Sequence, residues 1–438
     1  MAAFVMNCDP PPETRARAAA ALMDTIGVAL AGAAEPAARI VRETTATADG
    51  APCSVWGTDT RASAPDAALA NGTAAHALDY DDMCFVSLAH PSAPLVPAIV
   101  AAGEVAGASG RAVVEAYVMG FEIQARLGRL MNPRHYQRGW HCTSTLGTIS
   151  AAAGASRLLG LDAAATSHAL AIAASSASGL KENFGTMVKP LHAGLAARNG
   201  VHAALLAKAG LTGSARAFDG PQGFLRALDS ERADLAGATS DLGRRWEILE
   251  TGVTVKLYPS CAGSHPTLDA LLDLRARERF SADDVERIEI DVDAIVPTIL
   301  LYDRPASALE AKFSMPFCAA AAVVFGRVDI ETFDDDRIRD PKVTSLMSRV
   351  SMRVDDQIGV GKPALTEARV RVRLEDGRTF VQEAHGARGY PGNPASDAEL
   401  AAKFTACATR VRSAAQAGEA LTLLRNIDQL GSIRDFVA

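Results

Sequence analysis

Residues Glu367–Gln382, EARVRVRLEDGRTFVQ, decide the fold class, because they form the clearest β-hairpin pattern in a chain whose other patterns are mostly helical. Apolar and charged residues alternate up to Leu374, which predicts a strand with one buried face. The pair Asp376-Gly377 matches a favoured two-residue hairpin turn, and Thr379–Gln382 supplies the returning strand. We therefore predict an antiparallel hairpin at this position.

A second alternating segment lies upstream of this hairpin. Apolar and charged residues alternate over Val285–Asp293, which predicts another strand with one buried face. Helical periodicity covers 306–326 and 339–349, between this strand and the hairpin. Strands and helices mixed in this way indicate a small α+β domain, which we place at residues 267–396.

The remaining sequence has a helical pattern. A helix is predicted to begin at Pro11-Pro12 and end at Gly32, and a short strand is predicted at Cys53–Gly57. Further stretches with helical apolar spacing and many small residues cover 64–78, 93–108, 111–130, 146–159, 163–178, 192–209 and 264–278. We predict a mainly α fold, in which residues 1–266 and 397–438 form a large all-α domain and a pocket lies between the domains.

The composition limits the possible functions. The chain has 438 residues, of which 48% are hydrophobic and 22% are charged, as expected for a globular protein of two domains. Its net charge of −7 argues against a broad surface for nucleic acid or for an anionic membrane, so an anionic ligand requires a local cluster of cations. We see no signal peptide in Met1–Pro12, and no apolar stretch reaches the ~18 uninterrupted residues of a transmembrane helix.

The cysteines are dispersed and do not form a Cys-x-x-Cys motif; they are Cys8, Cys53, Cys84, Cys142, Cys261, Cys318 and Cys407. An odd, scattered set in a chain of this length is typical of reduced thiols in the cytosol. We expect a cytoplasmic protein in which these residues mostly fill the core.

Carboxylates and histidines concentrate in NGTAAHALDYDD, residues 71–82, and in the following His90-Pro91-Ser92. A carboxylate beside a histidine fixes its tautomer and raises its basicity, which makes an acid–base pair near neutral pH. Alternatively, Asp81 and Asp82 cap a helix and His76 is an ordinary helical residue. Because no His-x-x-x-His or His-x-Asp spacing occurs here, we predict no metal.

Hydroxyl groups follow a histidine in the second cluster, HYQRGWHCTSTLG, residues 135–147. His141, Thr143 and neighbouring N–H groups precede a predicted helix, where an anion is favourably bound. The alternative is a simple N-cap.

Two further clusters each contain a lysine beside proline, glycine and histidine. The first is Lys189-Pro-Leu-His192-Ala-Gly194, and the second is KLYPSCAGSH, residues 256–265, which includes Ser260. A lysine alone is usually a solvated surface residue, but this repeated context favours carboxylate binding by Lys189 and Lys256.

These residue types suit proton transfer at carbon in a polyanion. A C–H group next to a carboxylate is a weak acid, so cations or hydrogen-bond donors must stabilise the charge that develops, while a histidine moves the proton. Gly-x-Gly-x-x-Gly, P-loop and Gly-x-Ser-x-Gly patterns are absent from the sequence, so no nucleotide cofactor or serine hydrolase elbow is supported. We expect lyase or epimerase chemistry without a cofactor.

Motifs along nearly the whole chain resemble the MmgE/PrpD family, whose members include 2-methylcitrate dehydratase, cis-aconitate decarboxylase and iminodisuccinate epimerase. The blocks occur in family order, and they are residues 71–82, His90-Pro-Ser92, Gly139-Trp-His141, Lys189–Gly194, Lys256–Cys261, Ala311–Phe317 and Gly389–Pro394.

This resemblance implies a helical domain built from both ends of the chain, an α+β lid, a homodimer and a metal-free pocket for a small polycarboxylate. The pocket residues of the decarboxylase match Asp79, His90, His141, Lys189 and Lys256. His90 is implied to be the leading acid–base residue, oriented by Asp79. Both lysines are implied to hold carboxylates, and His141 to act as a second proton donor or anion ligand.

The chain departs from the decarboxylase pattern at two points. Phe317 replaces a tyrosine, and the loop from Asp79 to His90 is one residue longer. Both differences argue against cis-aconitate decarboxylation as the specific activity. Tyr136 is an alternative source of the phenol hydroxyl that Phe317 lacks. The predicted substrate-binding residues are Lys189, Lys256, Tyr136, Thr143, Ser260 and Phe317.

Three functions therefore remain open. The first is a lyase that dehydrates or decarboxylates a di- or tricarboxylic acid. The second is an epimerase that removes and returns a Cα proton of a dicarboxylate. The third is a non-catalytic binding protein, for which loss of the histidine and lysine set would be expected.

Overall fold

The structure is a computed structural model that describes residues 1–45, 50–228 and 234–436. The chain divides into two compact units. The first unit comprises Met1–Glu182, Met187–Val255 and Ser396–Ala438, and the second comprises Asn183–Thr186 and Lys256–Ala395. Helices account for 56% of the described residues and strands for 9%, which confirms the prediction of a mainly α fold with a small α+β region.

The first unit is helical up to Val255. Its helices are α1 (Ala2–Asn7), α2 (Pro12–Gly32), α3 (Pro36–Thr44), α4 (Ala64–His76), α5 (Ser92–Ala106), α6 (Gly110–Met131), α7 (Arg134–Gln137), α8 (Cys142–Leu158), α9 (Ala163–Ser176), α10 (Val188–Lys208), α11 (Phe224–Ala227), α12 (Leu235–Thr239) and α13 (Glu247–Glu250). A short antiparallel pair joins β1 (Cys53–Ser54) to β2 (Arg61–Ala62).

The second unit mixes helices with a sheet. Its helices are α14 (His265–Glu278), α15 (Ala308–Ala311), α16 (Met315–Phe325), α17 (Asp335–Ile338) and α18 (Pro341–Met347). Its strands are β3 (Val285–Val292), β4 (Val350–Val354), β5 (Glu367–Leu374) and β6 (Thr379–His385). The chain then returns to the first unit with α19 (Asp397–Ala408) and α20 (Ala414–Arg425).

The central helices of the first unit pack through small residues. α10 packs against both α4 and α8. A Cβ atom built on Gly72 of α4 would lie 2.9 Å from the Cα atom of Gly194 of α10, so the two backbones meet directly. This contact brings the start of α10, with Lys189, beside the end of α4, with His76, and it explains why alanine and glycine are abundant in the predicted helices.

The four-stranded sheet has the order β4-β3-β5-β6. β5 pairs with both β3 and β6 in antiparallel fashion, which confirms the predicted hairpin. The alternate residues of β5 from Ala368 to Leu374 are buried, as their pattern predicts. β4 joins the edge parallel to β3 and was not predicted, because its alternating stretch is only five residues long. None of its residues is fully buried.

Several predicted helix boundaries differ from the structure. The helix expected at 306–326 is split into α15 and α16, because the Ser314 side chain caps a new helix that has Pro316 in its first turn. α8 and α10 each begin four residues before the predicted start, at Cys142 and Val188. The earlier start of α10 places Lys189 within its first turn.

A search of the described residues for membrane-spanning helices finds no single helix of sufficient length and apolarity. α2 and α3 meet these criteria only as a pair, with a bend of 87° between them.

Candidate active site

The candidate site begins where α4 ends, at His76. The following loop carries Asp79 and Asp81, and all three side chains are buried. Asp79 has φ 52°, a left-handed conformation that aspartate tolerates better than most residues. The helix end and the sharp turn therefore hold two carboxylates close to an imidazole within a short piece of chain.

His76 has polar partners at both ring nitrogens. Its Nδ1 lies 2.8 Å from Oδ2 of Asp81, and its Nε2 lies 2.9 Å from Nζ of Lys189. Because an ammonium can only donate, Nε2 accepts and Nδ1–H donates to Asp81. Burial lowers the pKa of His76 to about 4 against the opposing effect of Asp81, so the ring is neutral at neutral pH with a fixed tautomer.

Asp81 lies between two imidazoles. The same oxygen, Oδ2, is 3.1 Å from Nδ1 of His90, and the rings of His76 and His90 have centroids 4.5 Å apart. Burial alone would raise the pKa of Asp81, but His76 and His90 outweigh it and hold this pKa well below its usual range. Asp81 is therefore an ionised carboxylate that stabilises positive charge on His90.

Asp79 forms a buried ion pair with Lys189. The lysine ammonium contacts Oδ1 of Asp79, and both side chains are 5% exposed. Nε2 of His90 lies 3.9 Å from the same oxygen. We predicted that Asp79 orients His90, but the carboxylate within hydrogen-bond distance of His90 is Asp81, because Asp79 is turned toward Lys189.

His141 extends the cluster from the start of α8. Its ring lies 5.7 Å from that of His76, and its Nδ1 is 3.1 Å from Nδ1 of His192. Burial, the charge of Lys189 and the neighbouring histidines hold the pKa of His141 well below its usual range. Burial also lowers the pKa of His192 to about 4, so both rings are neutral and one must donate to the other through Nδ1–H.

The other predicted binding residues of the first unit have structural partners. The hydroxyl of Thr143 accepts the backbone N–H of His90 at 3.0 Å, which fixes the position of that residue. Tyr136 is buried, and the ammonium of Lys181 lies 3.7 Å from its ring centroid. These contacts give Thr143 a role in holding His90.

The predicted residues Lys256, Ser260 and Phe317 belong to the second unit. Lys256 is buried and begins the long segment of the second unit, Lys256–Ala395. The hydroxyl of Ser260 lies 2.9 Å from that of Ser264. Phe317 is fully buried in α16, with its ring 5.6 Å from that of Phe333. The roles predicted for these residues remain predictions.

Family models match both parts of the chain. The model of the MmgE/PrpD N-terminal domain matches residues 1–234, and that of the C-terminal domain matches residues 258–429. The chain belongs to the MmgE/PrpD family. This confirms the resemblance found in the sequence motifs.

Curated relatives of this MmgE/PrpD protein are cis-aconitate decarboxylases. The mouse enzyme is 28% identical over 425 residues, which cover 93% of this chain and 85% of the relative. The human enzyme is 28% identical over 389 residues, or 86% of this chain and 79% of the relative. A cis-aconitate decarboxylase-like protein of Aspergillus oryzae is 29% identical over 431 residues, or 92% of this chain and 88% of the relative.

The structure brings together four of the predicted catalytic residues of this MmgE/PrpD protein, namely Asp79, His90, His141 and Lys189. It also adds Asp81, His76 and His192, which the sequence motifs contain but to which we assigned no catalytic role. The spacing of five residues between His76 and Asp81 was an available signal, because it spans a helix end. The contact of His192 with His141 joins residues 51 positions apart, and no local pattern reveals it.

Ligand atoms of His76, Asp79, Asp81 and His90 lie within 4.8 Å of one another, which fits the donor set of a metal ion. The ammonium of Lys189, however, contacts Asp79 and lies 2.9 Å from Nε2 of His76. A cation of the chain itself therefore already contacts two of these four residues, His76 and Asp79. A metal ion bound by all four would compete with Lys189 for those two.

Proposed function

We propose that this MmgE/PrpD protein moves a proton at carbon in a small di- or tricarboxylic acid, and thereby dehydrates or decarboxylates it with its own side chains. The enzyme class, a lyase, is confirmed by the family and by the decarboxylase relatives. The observation that carries the proposal is the buried cluster in which Asp81 bridges two histidines beside the Asp79–Lys189 ion pair.

His90 is the proposed acid–base residue. Its Nδ1 faces the ionised carboxylate of Asp81 at 3.1 Å, so a proton taken up by the ring is stabilised there. Nε2 is the nitrogen that does not face Asp81, and we assign proton transfer to it. The hydroxyl of Thr143 accepts a hydrogen bond from the backbone N–H of His90. This bond limits movement of His90 and so helps to keep its ring oriented for proton transfer.

His76 has a different role in this proposal. Its two nitrogens bind Asp81 and Lys189, and its low pKa keeps it neutral. It therefore positions the carboxylate and the ammonium and does not itself carry the proton.

Both reactions require the same groups. In a dehydration, the base takes the proton from the carbon beside a carboxylate, and an acid protonates the departing hydroxyl. In a decarboxylation, the electrons of the broken C–C bond stay on the carbon as CO₂ leaves, and an acid protonates that carbon. In the dehydration, negative charge develops on the oxygens of the carboxylate next to that carbon. In the decarboxylation, it develops on the carbon and on a remaining carboxylate conjugated with it. We assign the stabilisation of this charge to Lys189 and His141.

The resemblance supports further assignments that the contacts do not test. Lys256 is proposed to bind a second carboxylate, with Tyr136, Ser260 and Phe317 as further substrate contacts. A cytoplasmic homodimer is the expected form of the enzyme. Size-exclusion chromatography with light scattering measures the mass of the particle in solution, and a mass close to one chain of 45.7 kDa contradicts the homodimer.

The experiment incubates the protein with cis-aconitate, citrate, 2-methylcitrate and a substituted succinate in D₂O and follows the products by ¹H NMR. Formation of a dehydrated or decarboxylated product, abolished by His90→Gln, supports the proposal. Deuterium entering the acid without any product indicates an epimerase instead. If none of the acids is turned over or raises the Tm, the proposal is wrong, because a bound ligand stabilises the folded state.

A further inference from the structure

A second buried Lys–Asp pair lies beside the loop that carries Asp79 and Asp81. Lys403 of α19 places its Nζ 2.7 Å from Oδ1 of Asp24 of α2, and both side chains are 2% exposed. The same ammonium donates to the backbone carbonyl of Tyr80 at 2.9 Å and lies 4.1 Å from the centroid of the Tyr80 ring. One cation thus joins two helices to a single residue of the loop.

Tyr80 is the residue between the two carboxylates of the candidate site. Its carbonyl belongs to the peptide that joins it to Asp81, so a bond to this carbonyl limits rotation of that peptide. On the other side, Asp79 has the left-handed φ of 52°, which surrounding contacts must maintain. A small rotation of the Tyr80 peptide would change the directions of both carboxylates relative to His90 and Lys189.

Stability alone is a weak explanation for this pair. Replacing a buried ion pair with apolar residues is often neutral or stabilising, because burial of two charges is costly. The cost is evident here, since burial raises the pKa of Asp24 although Lys403 lies beside it. The bond to Tyr80 is the contact that connects the pair to the chemistry.

We propose that Lys403, held by Asp24, is a positioning residue that fixes the Tyr80 peptide and thereby the directions of Asp79 and Asp81. This inference rests on the proposed proton-transfer function. It assigns helix α19 a part in the reaction, although Lys403 lies 323 residues along the chain from the residue it holds.

The test compares variants of the whole chain. They distinguish the effect of an unpaired buried charge from the effect of losing the hydrogen bond between Lys403 and the Tyr80 carbonyl. Lys403→Met leaves Asp24 buried without its partner and risks unfolding, so the main variant is the double change D24N/K403M, which removes both charges. Asp24→Asn alone removes the carboxylate that holds Lys403 but leaves the ammonium able to donate to Tyr80. Arg157→Met is the matched control, because Arg157 also binds a carboxylate, that of Glu115, and a backbone carbonyl.

The double variant is expected to lower kcat about 10- to 100-fold with KM within about threefold, because the carboxylates lose their alignment. Amide hydrogen exchange of residues 79–82 is expected to accelerate in the same variant. R157M is expected to keep kcat within about threefold and the exchange of residues 79–82 close to wild type, whereas D24N is expected to fall between R157M and the double variant in both measurements. These four results together support the positioning role.

The proposal is overturned if D24N/K403M exchanges residues 79–82 at the wild-type rate, whatever its activity. It is also overturned if R157M lowers kcat as strongly as the double variant, because loss of an ion pair remote from the loop would then suffice. If the wild type turns over no polycarboxylate, the proposed function fails by itself. The exchange measurement still decides in that case whether Lys403 holds the loop.

Discussion

Asp81 and Asp82 are adjacent in sequence, yet their carboxylates are in opposite electrostatic states. Asp81 faces His76 and His90, which hold its pKa well below the usual range. Asp82 accepts hydrogen bonds from the backbone N–H and the hydroxyl of Ser92, and burial raises its pKa to about 8. Burial penalises charge on both, so the difference is due to the neighbours: imidazoles on one side and neutral donors on the other.

The loop therefore has a catalytic side and an anchoring side. Its catalytic side consists of Asp79 and Asp81 with their histidine and lysine partners. Its anchoring side consists of the Tyr80 carbonyl, bound by Lys403, and the Asp82 carboxylate, bound by Ser92. Changes on the catalytic side should affect turnover far more than changes at Asp82.

The largest effect is expected from His90→Gln. Loss of the acid–base group should reduce kcat/KM about 10²- to 10⁴-fold, while circular dichroism and Tm remain close to wild type. His202→Gln is the control, because His202 is exposed on α10. Steady-state kinetics of both variants check this prediction, and equal activity of H90Q and wild type contradicts the assignment.

The next effect concerns the Asp79–Lys189 pair. Lys189→Met leaves a buried carboxylate without its cation and should destabilise the protein by about 3–5 kcal/mol. Adding Asp79→Asn should restore much of that stability in urea unfolding. Activity should stay about 10²-fold or more below wild type, because the cation that stabilises the transition state is absent. Recovery of activity in the double variant would mean that Lys189 has only a structural role.

Asp81→Asn should have a smaller effect with a distinctive pH dependence. Without the carboxylate, a proton on His90 is less stable, so the pKa of His90 should fall. The limb of the kcat/KM profile that follows protonation of His90 should therefore move to lower pH. Asp82→Asn is the matched comparison, and its profile should keep the wild-type position. Coincident profiles for all three proteins would show that Asp81 does not tune His90.

The smallest effect on turnover is expected from Asp82→Asn, which imitates the protonated carboxyl. Because the folded pKa of about 8 exceeds the unfolded one, the folded state binds the extra proton and this contribution to stability is lost as the pH rises toward 8. The amide of the D82N variant cannot ionise, so the variant does not lose stability in this way as the pH rises. Its stability relative to wild type should therefore rise by about 1.4 kcal/mol per pH unit between roughly pH 5 and 7. Urea unfolding at both values measures the difference, and a constant difference contradicts a raised pKa.

Local patterns predicted the elements whose sequence matches their burial. The alternation in β5 and the Asp376-Gly377 turn were sufficient for the hairpin. β4 was missed although Val350, Met352 and Val354 alternate with polar residues, because the strand has only five residues. The division of the helix at Ser314 was missed because its apolar spacing continues across the break.

The motifs predicted much of the composition of the site but not its connections. His90, Asp79, His141 and Lys189 were identified from their sequence context, and the structure places them together. That Asp81, and not Asp79, is the nearer carboxylate to His90 depends on the left-handed turn at Asp79. No sequence pattern indicated a role for Lys403, because an isolated lysine in an amphipathic helix is normally solvated. Only the tertiary fold reveals that it is buried.

The direct contact between Gly72 and Gly194 has a mechanical consequence. The two backbones touch without intervening side chains, so there is little compressible space between α4 and α10. The separation of His76 and Lys189, which lie near this contact, should therefore respond weakly to hydrostatic pressure. The hydrogen bond between them should therefore keep its length under pressures that shorten contacts between helices with larger side chains.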